Sequence, residues 1–122
     1  MTMQHEEERI QGAIVTYFRY MHREYAPLLV HVANERRCSV RQGARLKAMG
    51  VTAGVADLLL FLPRGGWHGL CLEVKTEKGR QRDTQKEWEE AVTAQGYLYL
   101  IVRSTDEARA VLETYLKGGF VR

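Results

Sequence analysis

The stretch that decides the fold runs from Val55 to Lys75 and reads VADLLLFLPRGGWHGLCLEVK. It contains two apolar runs, Val55 to Leu62 and Gly69 to Lys75, separated by a Pro-Arg-Gly-Gly turn signal. A continuous apolar run of this length predicts a strand that is covered on both faces of its sheet. Because the connection is short, we expect the two strands to pair as an antiparallel hairpin at the centre of the sheet.

Charged side chains interrupt both strands of this hairpin. Asp57 lies early in the first strand, and Glu73 and Lys75 lie near the end of the second. Because side chains alternate along a strand, Glu73 and Lys75 point to the same side, and antiparallel pairing would bring Asp57 next to Glu73. Two carboxylates and one ammonium group on one face suit metal-assisted hydrolysis of a phosphodiester. The alternative is a cross-strand ion pair, which contributes little to stability when it is exposed.

Outward from the hairpin, apolar periodicity and capping signals predict the remaining elements. We expect a helix from His5 to Glu24 that ends at Pro27, a strand from Leu28 to Val32, a long loop from Asn34 to Gly50 with room for a helical turn around Ala44 to Met49, a helix from Thr84 to Gln95, a strand from Tyr97 to Val102 and a helix from Ser104 to about Lys117. Thr84 with Glu87, and Ser104 with Glu107, form the capping boxes of the last two helices. The order α-β-β-β-α-β-α predicts a single α/β domain over residues 1–122, with a mixed central sheet flanked by helices.

The charge balance is modest, but its distribution is informative. Among 122 residues, 18 lysines and arginines stand against 15 acidic residues, which leaves a net charge of +3. Five basic residues and one acid fall between Glu35 and Lys47, and four basic residues and one acid fall between Lys75 and Arg82. Two basic segments suit a polyanion such as nucleic acid, and the alternative is a pair of solvated loops. The candidates for phosphate contact are Arg36, Arg37, Arg41, Lys78, Arg80 and Arg82.

The composition also excludes several classes of protein. No apolar run approaches the roughly 18 residues that a membrane span requires, and residues 1–9 are too polar and acidic for a signal peptide. The two cysteines, Cys38 and Cys71, cannot form a disulfide framework, and no Cys/His cluster indicates a zinc site. We therefore expect reduced thiols and a cytoplasmic protein.

The motifs of the hairpin resemble those of a known nuclease family. Gly54-Val55-Ala56-Asp57 followed by Glu73-Val74-Lys75 resembles the PD-(D/E)xK motif, with Ala56 in the place of the usual proline. The surroundings resemble one branch of that superfamily, the VRR-NUC (virus-type replication-repair nuclease) domain. Its motifs are matched, in order, at Glu7 to Gln11, Asn34 to Arg37, Lys47 to Leu58, Gly65 to Leu70, Glu73 to Lys75 and Gln85 to Trp88. The resemblance covers nearly the whole chain, and every ionisable position of the motif is present.

The resemblance implies a restriction-endonuclease-like fold and an endonuclease that depends on Mg²⁺ or Mn²⁺. It assigns Asp57, Glu73 and the backbone carbonyl of Val74 as metal ligands. It assigns Lys75 as the catalytic lysine, which would orient or deprotonate the attacking water or stabilise charge in the transition state. The departure at Ala56 affects a residue that shapes the backbone and binds no metal.

Two further residues are assigned by the resemblance. The family uses an acid on the first helix as a metal ligand, and we prefer Glu7 to Glu8 because it lies four residues before Gln11 on one helix face. Acids at a helix start also complement the helix dipole, which is the alternative role for this cluster. Gln85 is assigned a contact with the substrate or with a metal-bound water, and an exposed glutamine at a helix start is the alternative.

Substrate and assembly are implied in the same way. Standalone VRR-NUC proteins resemble Holliday-junction resolvases, which implies cleavage of four-way DNA junctions by a homodimer with one active site for each strand. Because the sequence contains no zinc finger or obvious recognition helix, we expect DNA to be recognised by its shape. Flaps and other DNA structures are alternative substrates, and a non-catalytic DNA-binding module is the alternative class. The final helix or the tail Phe120-Val121 is a candidate dimer surface, and a bacterial or phage-infected cell is the expected setting.

Overall fold

The computed structural model describes residues 2–33 and 39–122. Its elements are helices α1 (Met3–Met21), α2 (Val40–Ala48), α3 (Asp83–Ala94) and α4 (Thr105–Leu116), a 3-10 helix (Arg23–Leu28), and strands β1 (Leu29–His31), β2 (Leu58–Leu60), β3 (Leu70–Val74) and β4 (Leu98–Val102). The strands form one sheet in the order β1-β2-β3-β4, in which β1-β2 and β2-β3 are antiparallel and β3-β4 is parallel. The predicted mixed sheet flanked by helices is confirmed, and α2 is an addition to the predicted order.

The central hairpin has the pairing that the two apolar runs predict. Leu58 of β2 pairs with Leu72 of β3 in antiparallel register. Extending this register by one residue places Asp57, which directly precedes β2, opposite Glu73. Residues that lie opposite each other in a sheet project their side chains to the same face. The hairpin therefore brings the two carboxylates to one side of the sheet.

The sheet separates two hydrophobic clusters. On one face the strands pack against α1 and α4, and the buried members of this main core include Ile14, Phe18, Leu58, Leu72, Val102 and Leu112. On the other face Ala56, Cys71 and Tyr99 pack against Trp88 and Val92 of α3. Because side chains alternate along β3, Glu73 projects to the same face as Cys71, which is the face that α3 covers.

The predicted helix from His5 to Glu24 is divided in two. α1 ends at Met21, and the 3-10 helix that follows contains Pro27, which lacks the N–H that an α-helix requires. At this junction His22 Nε2 lies 2.6 Å from Glu113 Oε2 of α4, and the Tyr17 hydroxyl donates to the same carboxylate. These contacts hold the end of α1 against α4.

The prediction of a loop is wrong over residues 40–48, where α2 forms, and the helical turn predicted around Ala44 to Met49 is the C-terminal part of this longer helix. Ser39 Oγ accepts the Gln42 N–H over 3.1 Å, and Gln42 Oε1 accepts the Ser39 N–H over 3.2 Å. This reciprocal pair is a capping box, so the Ser-x-x-Gln spacing was a helix signal in the sequence that the glycines around it obscured. At the other end Gly50 adopts a φ of 107°, and the Val51 N–H donates to Leu46 O over 2.9 Å.

The two C-terminal helices begin with different caps. α3 begins at Asp83, and its first turn is held by the side chain of Gln85, which accepts the Arg82 N–H over 2.8 Å; the predicted Thr84 cap is therefore wrong. For α4 the predicted Ser104 cap is confirmed, since Ser104 Oγ accepts the Glu107 N–H over 3.0 Å, but the Glu107 carboxylate accepts the Arg103 N–H over 3.2 Å instead of completing the predicted box. Within residues 2–33 and 39–122, no helix combines the length and the apolar character needed to cross a membrane.

The side of α4 that we considered as a dimer surface belongs to the core. Leu112 and Tyr115 are fully buried, and Val111, Leu116 and Phe120 pack against the same cluster. Leu112 and Tyr115 are consequently not free to face a second copy, whereas Val111, Leu116 and Phe120 are only partly buried. Val121 of the predicted tail is exposed.

Candidate active site

Buried polar side chains are concentrated at one place in the part of the chain that the structure describes. They are Asp57, Glu73, Lys75, Thr76 and Gln85, and each is at most 9% exposed. The hairpin supplies the first three, and α3 supplies Gln85. Because burial of charged groups is costly unless they are paired or bind a cation, this concentration defines the candidate functional site.

Asp57 is fixed by hydrogen bonds on both sides. Its Oδ2 accepts the Val74 N–H over 2.8 Å, so the side chain continues the β2-β3 ladder where the backbone of β2 has not yet begun. Its backbone carbonyl accepts the Val32 N–H over 3.0 Å and lies 2.9 Å from His31 Nδ1. These hydrogen bonds fix both the backbone and the side chain of Asp57, so its carboxylate is held opposite Glu73.

Glu73 lies at the centre of the site and is fully buried. Its Oε2 accepts a hydrogen bond from Gln85 Nε2 over 3.0 Å and lies 3.6 Å from Lys75 Nζ. Its Oε1 is buried and has no hydrogen-bond partner. Burial, followed by the charge of Asp57, raises the pKa of Glu73 from 4.5 to about 8, although Lys75 opposes this shift.

These two carboxylates fit a hard divalent cation. A cation between Asp57 and Glu73 would offset their mutual repulsion and give the unpartnered Glu73 Oε1 a ligand role, since carboxylate and carbonyl oxygens are the ligands that Mg²⁺ takes. Val74 directly follows Glu73 in the chain, and its N–H donates to Asp57 Oδ2, so its backbone carbonyl belongs to a residue that adjoins both carboxylates. Its assignment as a ligand stays a prediction.

The predicted acid of the first helix, Glu7, is not part of a group of described side chains that is already arranged to bind a metal. Among residues 2–33 and 39–122, no group of three or more His, Cys, Asp or Glu side chains has an arrangement that could hold a metal ion. Glu7 is half-buried, whereas Glu6 and Glu8 are exposed. Glu7 lies on the side of α1 that carries the buried Ile10 and faces the sheet. The preference for Glu7 therefore stays a prediction, with its burial in favour.

Lys75 directly follows β3 and is only 4% exposed. Its backbone N–H donates to Val102 O over 3.0 Å, which extends the parallel pairing of β3 with β4 by one residue. Its ammonium group lies on the same face as Glu73, as the alternation along the strand predicts. The structure therefore brings together the acid, acid and lysine that the sequence predicted.

Arg103 is a residue of the site that the sequence analysis missed. Its Nη1 donates to Thr76 O over 2.8 Å, to Gly79 O over 2.6 Å and to Glu77 O over 3.4 Å. The turn that it holds starts directly after Lys75, and the Gly79 N–H closes it on Thr76 O over 3.1 Å. The one signal for Arg103 is its position directly after β4, opposite Lys75 when the register is extended by one residue.

Gly54 joins the loop before Asp57 to the start of α3. Its φ is 85°, and a Cβ at this position would lie 2.1 Å from Thr84 O. A side chain here would push α3 away from the hairpin, so the glycine of the motif is required by close packing. Ala56, in the place of the usual proline, is fully buried in the cluster beneath α3.

The basic residues proposed for phosphate contact fall into two groups. Lys78, Arg80 and Arg82 are exposed on the segment between β3 and α3. Lys78 also lines an open cleft with Met3, Glu6, Thr76 and Glu77, beside the end of the strand that carries Glu73. Arg41 is exposed on α2, and Arg36 and Arg37 lie outside the described residues.

A mixed four-stranded sheet with an aspartate before one central strand and Glu-x-Lys at the end of the next defines a PD-(D/E)xK-type nuclease core. The model of the VRR-NUC domain family matches residues 5–106, and the chain belongs to this nuclease family.

Two solved structures are similar to this chain. A structure described as a VRR_NUC domain protein is 25% identical, with a TM-score of 0.81 over 95% of this chain and 92% of the other. A second, described as a VRR_NUC domain, is 23% identical, with a TM-score of 0.57 over 89% of this chain and 96% of the other, and it supports the fold. A comparison with curated proteins gave no significant match.

Proposed function

We propose that this protein is an Mg²⁺- or Mn²⁺-dependent endonuclease that hydrolyses phosphodiester bonds in structured DNA. The observation that carries the proposal is the buried pair of Asp57 and Glu73. One oxygen of Glu73 has no hydrogen-bond partner, and the pKa of Glu73 is raised. Such a pair is unfavourable in isolation and becomes favourable when a divalent cation binds. Membership of a nuclease family supports the same reaction.

Each residue of the site has a role in this proposal. Asp57, Glu73 and the Val74 carbonyl would hold the cation, with Glu7 of α1 as a further ligand. When bound, the cation supplies charge neutralisation at the phosphate and a more acidic water. Lys75 orients or deprotonates the attacking water, or stabilises the charge that develops on the phosphate.

Gln85 has a positioning role in the same proposal. Its amide holds Glu73 Oε2, so it fixes the direction in which the carboxylate presents its other oxygen. Hydrogen bonds of this kind orient metal ligands and are needed for full activity. The contact with the substrate or with a metal-bound water that the resemblance implies for Gln85 stays a prediction beside this role.

We further propose a four-way junction as the substrate and a homodimer as the active form. Exposed basic side chains follow the strand that carries Glu73, at Lys78 and Arg80, and Arg41 adds a further exposed cation on α2. Paired cleavage of two strands requires two such sites, which a homodimer supplies. Flaps and other DNA structures are the second candidate class of substrate.

A panel of end-labelled substrates tests this proposal. Four-way junctions, flaps, linear duplexes and single strands are incubated with the protein in Mg²⁺, in Mn²⁺ and in EDTA. We expect cleavage of the junction with either cation and none in EDTA. Cleavage in EDTA would overturn the metal dependence. Cleavage of flaps alone would overturn the four-way junction as the substrate and assign flaps instead. Binding without any cleavage would favour the non-catalytic DNA-binding module.

A further inference from the structure

Helix α2 has an unusual environment for a helix of a small domain. None of its nine residues is buried, whereas α1, α3 and α4 each bury at least one side chain. An isolated helix of this length is marginal in water. α2 is instead closed by the Ser39-Gln42 capping box at its start and by the Val51 N–H to Leu46 O bond at its end. α2 is therefore held in helical form by its two ends, and most of its surface has no packing partner.

The charge of α2 has one sign. Arg41, Arg45 and Lys47 lie on the helix, and residues 39–56 contain no acidic side chain. Arg41, Ala44, Arg45 and Ala48 recur at spacings of three, one and three, which places them on one helix face. All four are exposed. Two arginines and two short alanine side chains thus form a cationic face on which the helix backbone can be approached closely.

This cationic face points away from the protein. Gly43 and Leu46 are half-buried and lie on the side of α2 that rests on the molecule. At 3.6 residues per turn, that side is opposite the face made by Arg41 and Arg45. The cationic face is therefore open to solvent along the whole helix.

The position of α2 links this face to the active site. Gly54 packs against the backbone of Thr84 at the start of α3, next to Gln85. The five peptide links from Met49 to Gly54 can span at most about 18 Å, even when fully extended. The C-terminal end of α2 is consequently within one short connection of the wall of the site that holds Glu73.

We propose that α2 docks onto double-stranded nucleic acid, with the face made by Arg41, Ala44, Arg45 and Ala48 against a groove and its flanking phosphates. A helix is about 10–12 Å across with its side chains, and the major groove of B-form DNA is about 12 Å wide. Arginines on this face reach the phosphates, while the alanines permit close approach. This inference rests on the proposed nuclease function for the class of ligand, and it assigns a docking element that lies outside the metal site.

A second copy of the chain is the competing occupant, because Val40, Met49 and Val51 are exposed apolar residues. These residues lie at the two ends of α2 and not on the cationic face. A symmetric dimer through that face would bring like charges together, which is unfavourable. The positive charge of this face therefore favours a polyanion over a second copy of the chain.

Binding to a labelled duplex tests the docking inference without cleavage. Fluorescence anisotropy is measured in EDTA over a range of salt concentrations for the parent, for Arg41→Ala/Arg45→Ala, and for the control Arg19→Ala/Lys117→Ala, which removes two exposed charges from other elements. Loss of two phosphate contacts should make the negative slope of log K against log salt shallower by about two. It should also weaken binding by roughly tenfold or more at low salt. The control should retain the parental slope. A parental Kd and slope for the α2 variant would overturn the inference.

A helix-breaking variant separates the helix from its charge. Ala44→Pro retains every cation but disrupts the helix interior. Since α2 has no fully buried residue, the thermal unfolding midpoint should remain close to that of the parent. We expect binding as weak as that of the double arginine variant, and parental binding by Ala44→Pro would overturn docking by the helix.

Other outcomes distinguish this inference from the proposed function. If duplex binding depends on α2 but no substrate is cleaved, the nuclease proposal is overturned and the docking inference is kept. If the protein cleaves DNA and the α2 variant binds as the parent does, the docking inference is overturned and the nuclease proposal is kept. A change from dimer to monomer in Arg41→Ala/Arg45→Ala, measured by analytical ultracentrifugation, would assign the face to a second copy and overturn the inference.

Discussion

The side chain of Gln85 connects the start of α3 to Glu73 in the sheet. Its amide nitrogen donates to Glu73 Oε2 over 3.0 Å, and its oxygen accepts the Arg82 N–H over 2.8 Å. One residue therefore caps the helix and orients a carboxylate of the site. Because Gln85 is 1% exposed, no water can readily replace either bond.

Gln85→Ala should reduce both stability and activity. The change removes the hydrogen bond to the buried Glu73 Oε2, which keeps only Lys75 nearby, and the acceptor of the Arg82 N–H, which together cost about 1–3 kcal/mol in the free energy of unfolding. Loss of the bond that orients Glu73 should lower the cleavage rate roughly 10- to 100-fold. Urea unfolding and single-turnover cleavage measure the two effects. The exposed Gln95→Ala serves as the control, and equal stability and rate for both variants would contradict the assignment.

The stability of the metal-free protein should depend on Glu73 and on pH. Its pKa is raised from 4.5 to about 8 by burial and by Asp57, so between these values the folded protein holds a proton that the unfolded chain has released. Stability in EDTA should therefore fall as the pH rises from about 4.5 to about 8. Because other groups titrate in this range, the relevant quantity is the difference between the parent and Glu73→Gln, measured by urea unfolding.

Addition of Mg²⁺ or Mn²⁺ should reverse this trend. The cation binds the ionised carboxylates, so its stabilising effect grows as the pH rises. Glu73→Gln should show a weaker response to the cation. A parent protein that gains stability with pH in EDTA, relative to Glu73→Gln, would be inconsistent with the buried carboxylate pair.

Arg103→Ala should reduce cleavage although the residue lies outside the carboxylate cluster. Its guanidinium holds the carbonyls of Thr76 and Gly79, so its loss frees the turn that follows Lys75. A displaced lysine should lower the cleavage rate roughly 10- to 100-fold. Arg103→Lys should recover only part of this loss, because an ammonium cannot reproduce the planar fork of a guanidinium.

The control for Arg103 is Lys86→Ala, which removes an exposed cation from α3. Both variants lose one positive charge, so a general effect of charge on DNA binding would appear in each. If Arg103→Ala and Lys86→Ala cleave at the same rate, the clamp on the turn plays no part in the reaction.

The sequence predicted the hairpin and its charged residues because their signals are local and strong. Continuous apolar runs fix the two strands, and alternation along β3 places Glu73 and Lys75 on one face. The pairing of Leu58 with Leu72 then determines that Asp57 faces Glu73. No long-range information was needed for this part of the site.

The parts that the sequence did not predict depend on contacts between distant residues or on competing local signals. α2 was predicted only as a helical turn around Ala44 to Met49, because Gly43 and Gly50 read as loop residues and no apolar stripe is present, although Ser39 and Gln42 form its cap. Arg103 was missed because its partners are backbone carbonyls of another segment, which leave no pattern in side chains. The start of α3 was misplaced because Gln85 outcompetes the Thr84 capping box.

The most direct test of the account is single-turnover cleavage of a labelled four-way junction by the parent and by Asp57→Asn in Mg²⁺. An asparagine oxygen can still accept the Val74 N–H, so the fold is retained while the charge that would hold the cation is removed. We predict that Asp57→Asn cleaves at least about 100-fold more slowly than the parent, because metal-assisted chemistry supplies several kcal/mol of transition-state stabilisation. Cleavage by Asp57→Asn at the parental rate would contradict the central claim that Asp57 and Glu73 form the catalytic metal site.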